Sequence, residues 1–257
     1  MSTAISLDTV SVRLGAQLVL DDVSLHLNQQ RIAVIGANGS GKSTFARLLG
    51  GLVPADSGTV SVLGLEPARQ AKELRRRVSF VFSNPDAQII MPTVAEDVAF
   101  SLRGERLSKA DAAARVAASL EEFGLTDLAD RAAHDLSGGQ KQLLALCGAM
   151  IRQPALVIAD EPTAYLDARN SRLIAGHLLG DPNPGNGHGT GTGTGAGTET
   201  GTAIGTATAT AHRLVLVTHD LALAARCDIA VLFDGGHLIA VGAPSDVIAR
   251  YETSLRC

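Results

Sequence analysis

An α/β fold with a mixed sheet core, an N-terminal antiparallel β subdomain and a helical lobe follows from three observations on this 257-residue chain. Apolar and polar residues alternate near the N-terminus, at Ile5, Leu7, Val10 and Val12 and again at Val23, Leu25 and Leu27, the period of half-buried strands in a partly antiparallel sheet. Helix and strand patterns then take turns through residues 138–233, as expected of buried strands covered by helices. Between these regions, from Thr93 to about Phe123, the pattern turns helical and alanine-rich. Asp111, Arg115, Glu121 and Glu122 fall on its exposed faces, which marks an inserted lobe.

The elements follow in order. The apolar run Arg31–Ile35 reads as a strand, and Ser43 to Gly50 as the helix after a glycine-rich turn. Ser57–Leu63 is a strand behind the Pro54/Asp56 turn, and Val78–Phe82 a buried one. Ser137 caps a helix running to about Ile151. Strands are expected before Asp160 and at Leu214–Val217, and an amphipathic helix over Ala243–Cys257. The whole chain, 1–257, reads as one domain whose lobe covers about 93–150. Residues 181–211, with their Gly-Thr and Ala-Thr repeats, carry almost no large apolar side chains and are expected to be a disordered surface insertion. His188 within it stands alone and predicts no metal site.

Composition narrows the function. A net charge of −4 gives no electrostatic reason to expect nucleic-acid binding. Cys147, Cys227 and Cys257 lie far apart without metal or disulfide spacing, which fits a reducing cytosol. The N-terminus shows no signal-peptide pattern, and no run of about 18 apolar residues spans a bilayer. The protein reads as soluble. Tryptophan is absent and aromatic residues make up 3% of the chain, which limits aromatic stacking on a base.

The chemistry concentrates in a few segments. Gly36, Ala37, Asn38, Gly39, Ser40, Gly41, Lys42, Ser43 and Thr44 have the spacing of a phosphate-binding loop, G-x-x-x-x-G-K-[ST]. Small residues let backbone N–H groups turn inward on a polyphosphate, and the helix N-terminus adds its positive dipole end. Lys42 reaches the β- and γ-phosphates, and the Ser43 hydroxyl serves a magnesium shell. Downstream, Pro154–Thr163 is an apolar strand ending in two carboxylates. Asp160 is placed to hold Mg2+ and Glu161 to orient or activate a water; in isolation the same pair could cap the next helix. Ser137, Gly138, Gly139 and Gln140 leave helix N–H groups open to an anion, and His219 ends the strand Leu214–Val217, where it could contact a γ-phosphate.

In this order the motifs resemble those of the ATP-binding-cassette (ABC) ATPase subunits over nearly the whole chain. Gly36–Thr44 matches Walker A, Leu156–Asp160 Walker B, Leu136–Gln140 the signature, Ala164–Asp167 the D-loop and His219 the switch histidine. The resemblance implies a P-loop NTPase fold of ABC type, ATP and Mg2+ as ligands, and catalytic roles for Lys42, Glu161 and His219. It also implies a second ATPase subunit, identical or paralogous, which faces the first head to tail and contributes Ser137–Gln140 to its ATP.

Two positions depart from the family. Leu14 stands where an aromatic residue usually stacks on adenine, and Ser83 where the Q-loop glutamine is usual. Asn84–Gln88 with Pro92–Phe100 resembles the energy-coupling-factor (ECF) importers, which implies docking on a transmembrane T component with a separate substrate-binding S component. Gln88–Thr93 and Gln140–Leu144 are closer to the biotin type than to the cobalt type. That places the protein peripherally at the cytoplasmic face of the membrane, powering uptake of a vitamin, biotin favoured. The alternatives are a cobalt or nickel importer ATPase, or a soluble non-transport ABC ATPase.

Overall fold

A computed structural model describes residues 3–181 and 212–255. The expected insertion and His188 lie outside the described residues, apart from Asp181 at its edge, which pairs with Arg226 at 2.8 Å.

The chain opens with the hairpin β1 (Ile5–Leu14) and β2 (Gln17–Leu27), paired antiparallel from Ile5↔Leu27 to Leu14↔Gln17. β3 (Arg31–Gly36) runs into the phosphate loop and α1 (Lys42–Leu49). β4 (Ser57–Val62) returns to the other edge of β1, so the first sheet has the order β2-β1-β4. α2 (Pro67–Arg77) follows, which the sequence reading missed. Its signal is weak because only Pro67 and Leu74 are buried, too few to draw a helical stripe, although Pro at the first helical position marks its start. β5 (Val78–Val81) leads to the helices α3 (Val94–Phe100) and α4 (Lys109–Glu122). Thr93 and Ser108 cap them through their side chains, accepting from Glu96 N and Asp111 N.

The second half follows the expected alternation: α5 (Gly138–Met150), β6 (Leu156–Asp160), α6 (Ala168–Leu179), β7 (Arg213–Val217), a short α7 (Leu221–Ala224) and β8 (Ile229–Asp234). β9 (His237–Gly242) turns back antiparallel on β8, and α8 (Pro244–Ser254) closes the described chain. β9 was not expected, yet Gly235-Gly236 between two apolar runs is a hairpin signal that the sequence carries.

The second sheet has the order β5-β6-β7-β3-β8-β9, parallel except for β9. Period two splits its strands between two cores. Ile32, Val34, Ile158, Val215, Val217 and Phe233 face α1 and the first sheet. Ala33, Ile35, Val157, Ala159, Leu216 and Leu232 face α3, α5, α6 and α8. α1 is thus sandwiched between sheets, and Phe45 is buried against Phe233 with ring centroids 5.0 Å apart.

One packing detail carries a pH dependence. His177 on α6 stacks on Phe123 at 4.2 Å, and burial pulls its pKa below the ordinary 6.5. The unfolded chain therefore binds this proton more readily, so stability falls as pH drops through 6.5 toward the folded value. His177→Phe should lose less Tm than the parent between pH 7.5 and 5.5; equal losses would remove His177 from the account.

Candidate active site

Three neighbouring parallel strands build the site. In the order β6-β7-β3 their carboxyl ends carry Asp160-Glu161, Thr218-His219 and the loop from Gly36. Loops beyond the carboxyl ends of a parallel sheet form the usual crevice for a ligand.

The loop is shaped by backbone geometry. Gly36 has φ 144°, and a Cβ there would be driven into the carbonyl oxygen of Phe233 and lie 2.9 Å from Ser40 Oγ. Lys42 is buried, and its Nζ donates to the carbonyls of Gly36 and Ala37, both at 2.8 Å. Desolvation lowers its pKa, opposed by the nearby charges of Glu161 and Asp160. Ala37, Asn38 and Gly39 are exposed at the rim, while Gly41 and Thr44 are buried beneath it. Ser40 Oγ is buried with no hydrogen-bond partner among the described residues. A buried, unpartnered hydroxyl in a glycine-rich loop that runs into the N-terminus of α1 beside Lys42 fits a polyphosphate.

Ser43 Oγ donates to Asp160 Oδ1 at 2.9 Å across 117 positions of sequence. Burial raises the Asp160 pKa, against the Ser43 hydrogen bond and the charges of Arg47 and Lys42. Among the described residues no group of three or more His, Cys, Asp and Glu could hold a metal by itself. A hydroxyl and one carboxylate do fit Mg2+, a hard ion that keeps waters and takes its other oxygens from phosphate.

Glu161 follows β6 with φ 50°, a left-handed conformation costing about 1–3 kcal/mol. Its N–H donates to Val217 O at 2.9 Å, and its Oε2 lies 2.7 Å from His219 Nδ1. The pairing of Glu161 with His219 was not expected from the sequence, which placed His219 only beside a phosphate. Sequence spacing cannot show that two strand ends become neighbours.

Ser137–Gln140 stand at the start of α5. Ser137 Oγ accepts from Gln140 N at 3.3 Å and Gln140 Oε1 accepts from Ser137 N at 2.9 Å, a closed capping box. Ser137 and Gly138 are exposed and Gly139 is buried. A Cβ on Gly139 would meet Asn170 at 2.5 Å, and Asp167 holds Asn170 through its N–H at 2.8 Å and Nδ2 at 2.9 Å. Among the described residues no hydrogen bond or ion pair joins Ser137–Gln140 to Gly36–Thr44.

Ser83 and Leu14, the two departures, are placed differently. Leu14 ends β1 with 45% of its surface exposed. The backbone just before Ser83 is clamped from both sides: Gln88 Oε1 accepts from Phe82 N at 3.3 Å and Gln142 Nε2 donates to Phe82 O at 3.1 Å. Lys141 also pairs with Asp86 at 2.8 Å, so this loop is fastened to α5. The sequence reading did not assign Gln142, whose polar side chain on an otherwise buried helix was the available signal.

A mixed six-stranded sheet, a three-stranded antiparallel sheet and a phosphate loop beside paired carboxylates define a P-loop ATPase of ABC type. Residues 20–164 match the ABC transporter family, and the chain belongs to that family. It is 37% identical over 248 residues to the biotin transport ATP-binding protein BioM of Rhizobium etli, covering 96% of this chain and 97% of the relative. It is 34% identical over 240 residues to the energy-coupling factor transporter ATP-binding protein EcfA1 of Latilactobacillus sakei, covering 91% and 76%. In fold it is similar to cbiO1 from Clostridium perfringens, part of the ABC transporter complex cbiONQ, with a TM-score of 0.77 at 24% identity over 98% of this chain and 93% of that one.

Proposed function

We propose that this chain is the ATP-hydrolysing subunit of an energy-coupling-factor type importer, of the biotin kind, working as one of a head-to-tail pair on a transmembrane T component with a separate S component. The observation that carries the ATPase part is the convergence of Lys42, the Ser43–Asp160 hydrogen bond and the Glu161–His219 pair at the ends of three adjacent strands. The phosphates of ATP lie in the cradle of residues 36–44 under Lys42. Ser43 and Asp160 hold Mg2+, which when bound neutralises phosphate charge. Glu161 accepts a proton from, or orients, the attacking water, and His219 keeps that carboxylate aimed. Ser137–Gln140 serve the nucleotide of the second subunit, in keeping with the lack of any hydrogen bond or ion pair between them and Gly36–Thr44 among the described residues.

The ECF assignment is supported by the motif Asn84–Phe100 and by the name of the EcfA1 relative, and the biotin kind by the name of the BioM relative. The same segment is the proposed docking surface, and the protein then sits peripherally at the cytoplasmic face. Among the described residues no helix is long and apolar enough to cross a membrane. Deleting the gene should abolish uptake of labelled biotin, with restoration by the parent and not by Lys42→Ala. Loss of labelled cobalt or nickel uptake with biotin uptake intact would favour the metal type, and loss of neither would favour a cassette that drives no transport.

Ser83 is too short to reach both Mg2+ and a docked partner, so Ser83→Gln should raise substrate-stimulated ATPase in the assembled complex. Unchanged hydrolysis and transport would count against that reading of the Q-loop.

A further inference from the structure

Charge on this chain is unevenly placed. The net charge is −4, yet Lys72, Arg75, Arg76, Arg103, Arg106 and Arg152 line one open cleft of about 700 Å³ in which Glu105 is the sole carboxylate. Glu105 is already engaged, 3.2 Å from Arg115 Nη1 and 3.9 Å from Arg152 Nε. Arg103 lies 4.6 Å above the Phe100 ring. Among the described residues Lys72, Arg75, Arg76 and Arg106 enter no ion pair. The adjoining face of α2 adds Arg69 and Arg77 against Glu73, and Arg69 pairs with Glu66 at 3.4 Å.

Three separate segments are brought together to make this face. α2 buries only Pro67 and Leu74 and turns its cations to solvent. Arg152 donates to the carbonyls of Arg75 and Arg76, both at 3.2 Å, which holds the end of α2 next to the turn carrying Arg103 and Arg106. Gathered like charges repel, and among the described residues no carboxylate pairs with Lys72, Arg75, Arg76 or Arg106. Lys72, Arg75, Arg76, Arg103 and Arg106 are exposed on long side chains spread over α2 and the neighbouring turn, which suits a surface of fixed negative charge better than a compact anion.

We propose that this basic face rests on an anionic lipid surface, its guanidinium groups forking onto lipid phosphates. The inference goes beyond the proposed function and stands without it, since it needs neither a transmembrane partner nor an assigned cargo.

The test uses the intact chain, sedimented with vesicles of phosphatidylcholine alone or with phosphatidylglycerol added. The parent should partition onto the anionic vesicles only, and less so as salt shortens the range of the attraction. Arg75→Gln/Arg76→Gln/Arg106→Gln should bind on the order of 100-fold more weakly, from three separate cation contributions, with basal ATPase unchanged. If that variant folds poorly, Lys72→Gln/Arg106→Gln should still lose roughly 30-fold. Equal binding to both vesicles, binding to neither, or variants that bind like the parent would overturn the proposal. Release by inorganic phosphate at matched ionic strength would also overturn it, because that marks a compact phosphate site.

Discussion

Glu161→Gln should lower the ATPase turnover number by roughly 10²–10⁴-fold while leaving ATP affinity nearly unchanged. The substitution keeps the size of the side chain and an oxygen that accepts from His219, which now sits 2.7 Å from Oε2. It removes only the charge that draws a proton from water. Lys42, Ser43 and Asp160 are untouched, so nucleotide should still bind and the ATP-bound pair should accumulate as a dimer on gel filtration. Turnover equal to that of the parent would take the hydrolytic role away from Glu161. His219→Ala offers a comparison, because loss of an aiming partner should cost less than loss of the carboxylate itself. If the two substitutions cost the same, the pair acts as one unit and the division of labour drawn here fails.

Gly36→Ala should abolish nucleotide binding and destabilise the fold by about 3 kcal/mol or more, a Tm loss of roughly 6–12 °C. The reason is local and severe. A methyl group at Gly36 would meet the backbone oxygen of Phe233 on β8, which cannot move without disturbing the β3–β8 pairing at Gly36↔Phe233. Gly39 is the control. It also has a positive φ, 78°, but a Cβ there meets nothing within 4 Å. Gly39→Ala should therefore cost only the left-handed strain, about 1–2 kcal/mol. Both Tm values are read by calorimetry, and similar losses at the two positions would mean that steric contact with β8 is not what reserves Gly36.

How much was legible in the sequence depended on range. The cap at Ser137 formed as expected, because it needs only residues a few positions apart, and the structure adds the return bond from Gln140. The strand before the phosphate loop and the helix after it, β6 ending at Asp160, and β7 ending at Val217 all follow from short apolar runs with local punctuation. α2 was missed because charge dominates its sequence, and burial of only Pro67 and Leu74 leaves no period to read. β9 was missed because its residues are only half-buried at a sheet edge, where alternation is faint.

By itself, then, the amino-acid sequence determined the phosphate loop, the helix cap at Ser137, the α/β alternation and the family to which the chain belongs, since each rests on neighbours along the chain. Only the tertiary structure decided which distant groups meet. Ser43 reaches Asp160 across 117 positions, and His219 reaches Glu161 across 58. The same is true of Asn170 packed on Gly139, and of the cations of α2 gathered with Arg106 and Arg152. The physical reason is the strand order. A sheet that places β3 beside β7, and β7 beside β6, brings together chain ends that periodicity cannot relate, because the register of one strand says nothing about its neighbour.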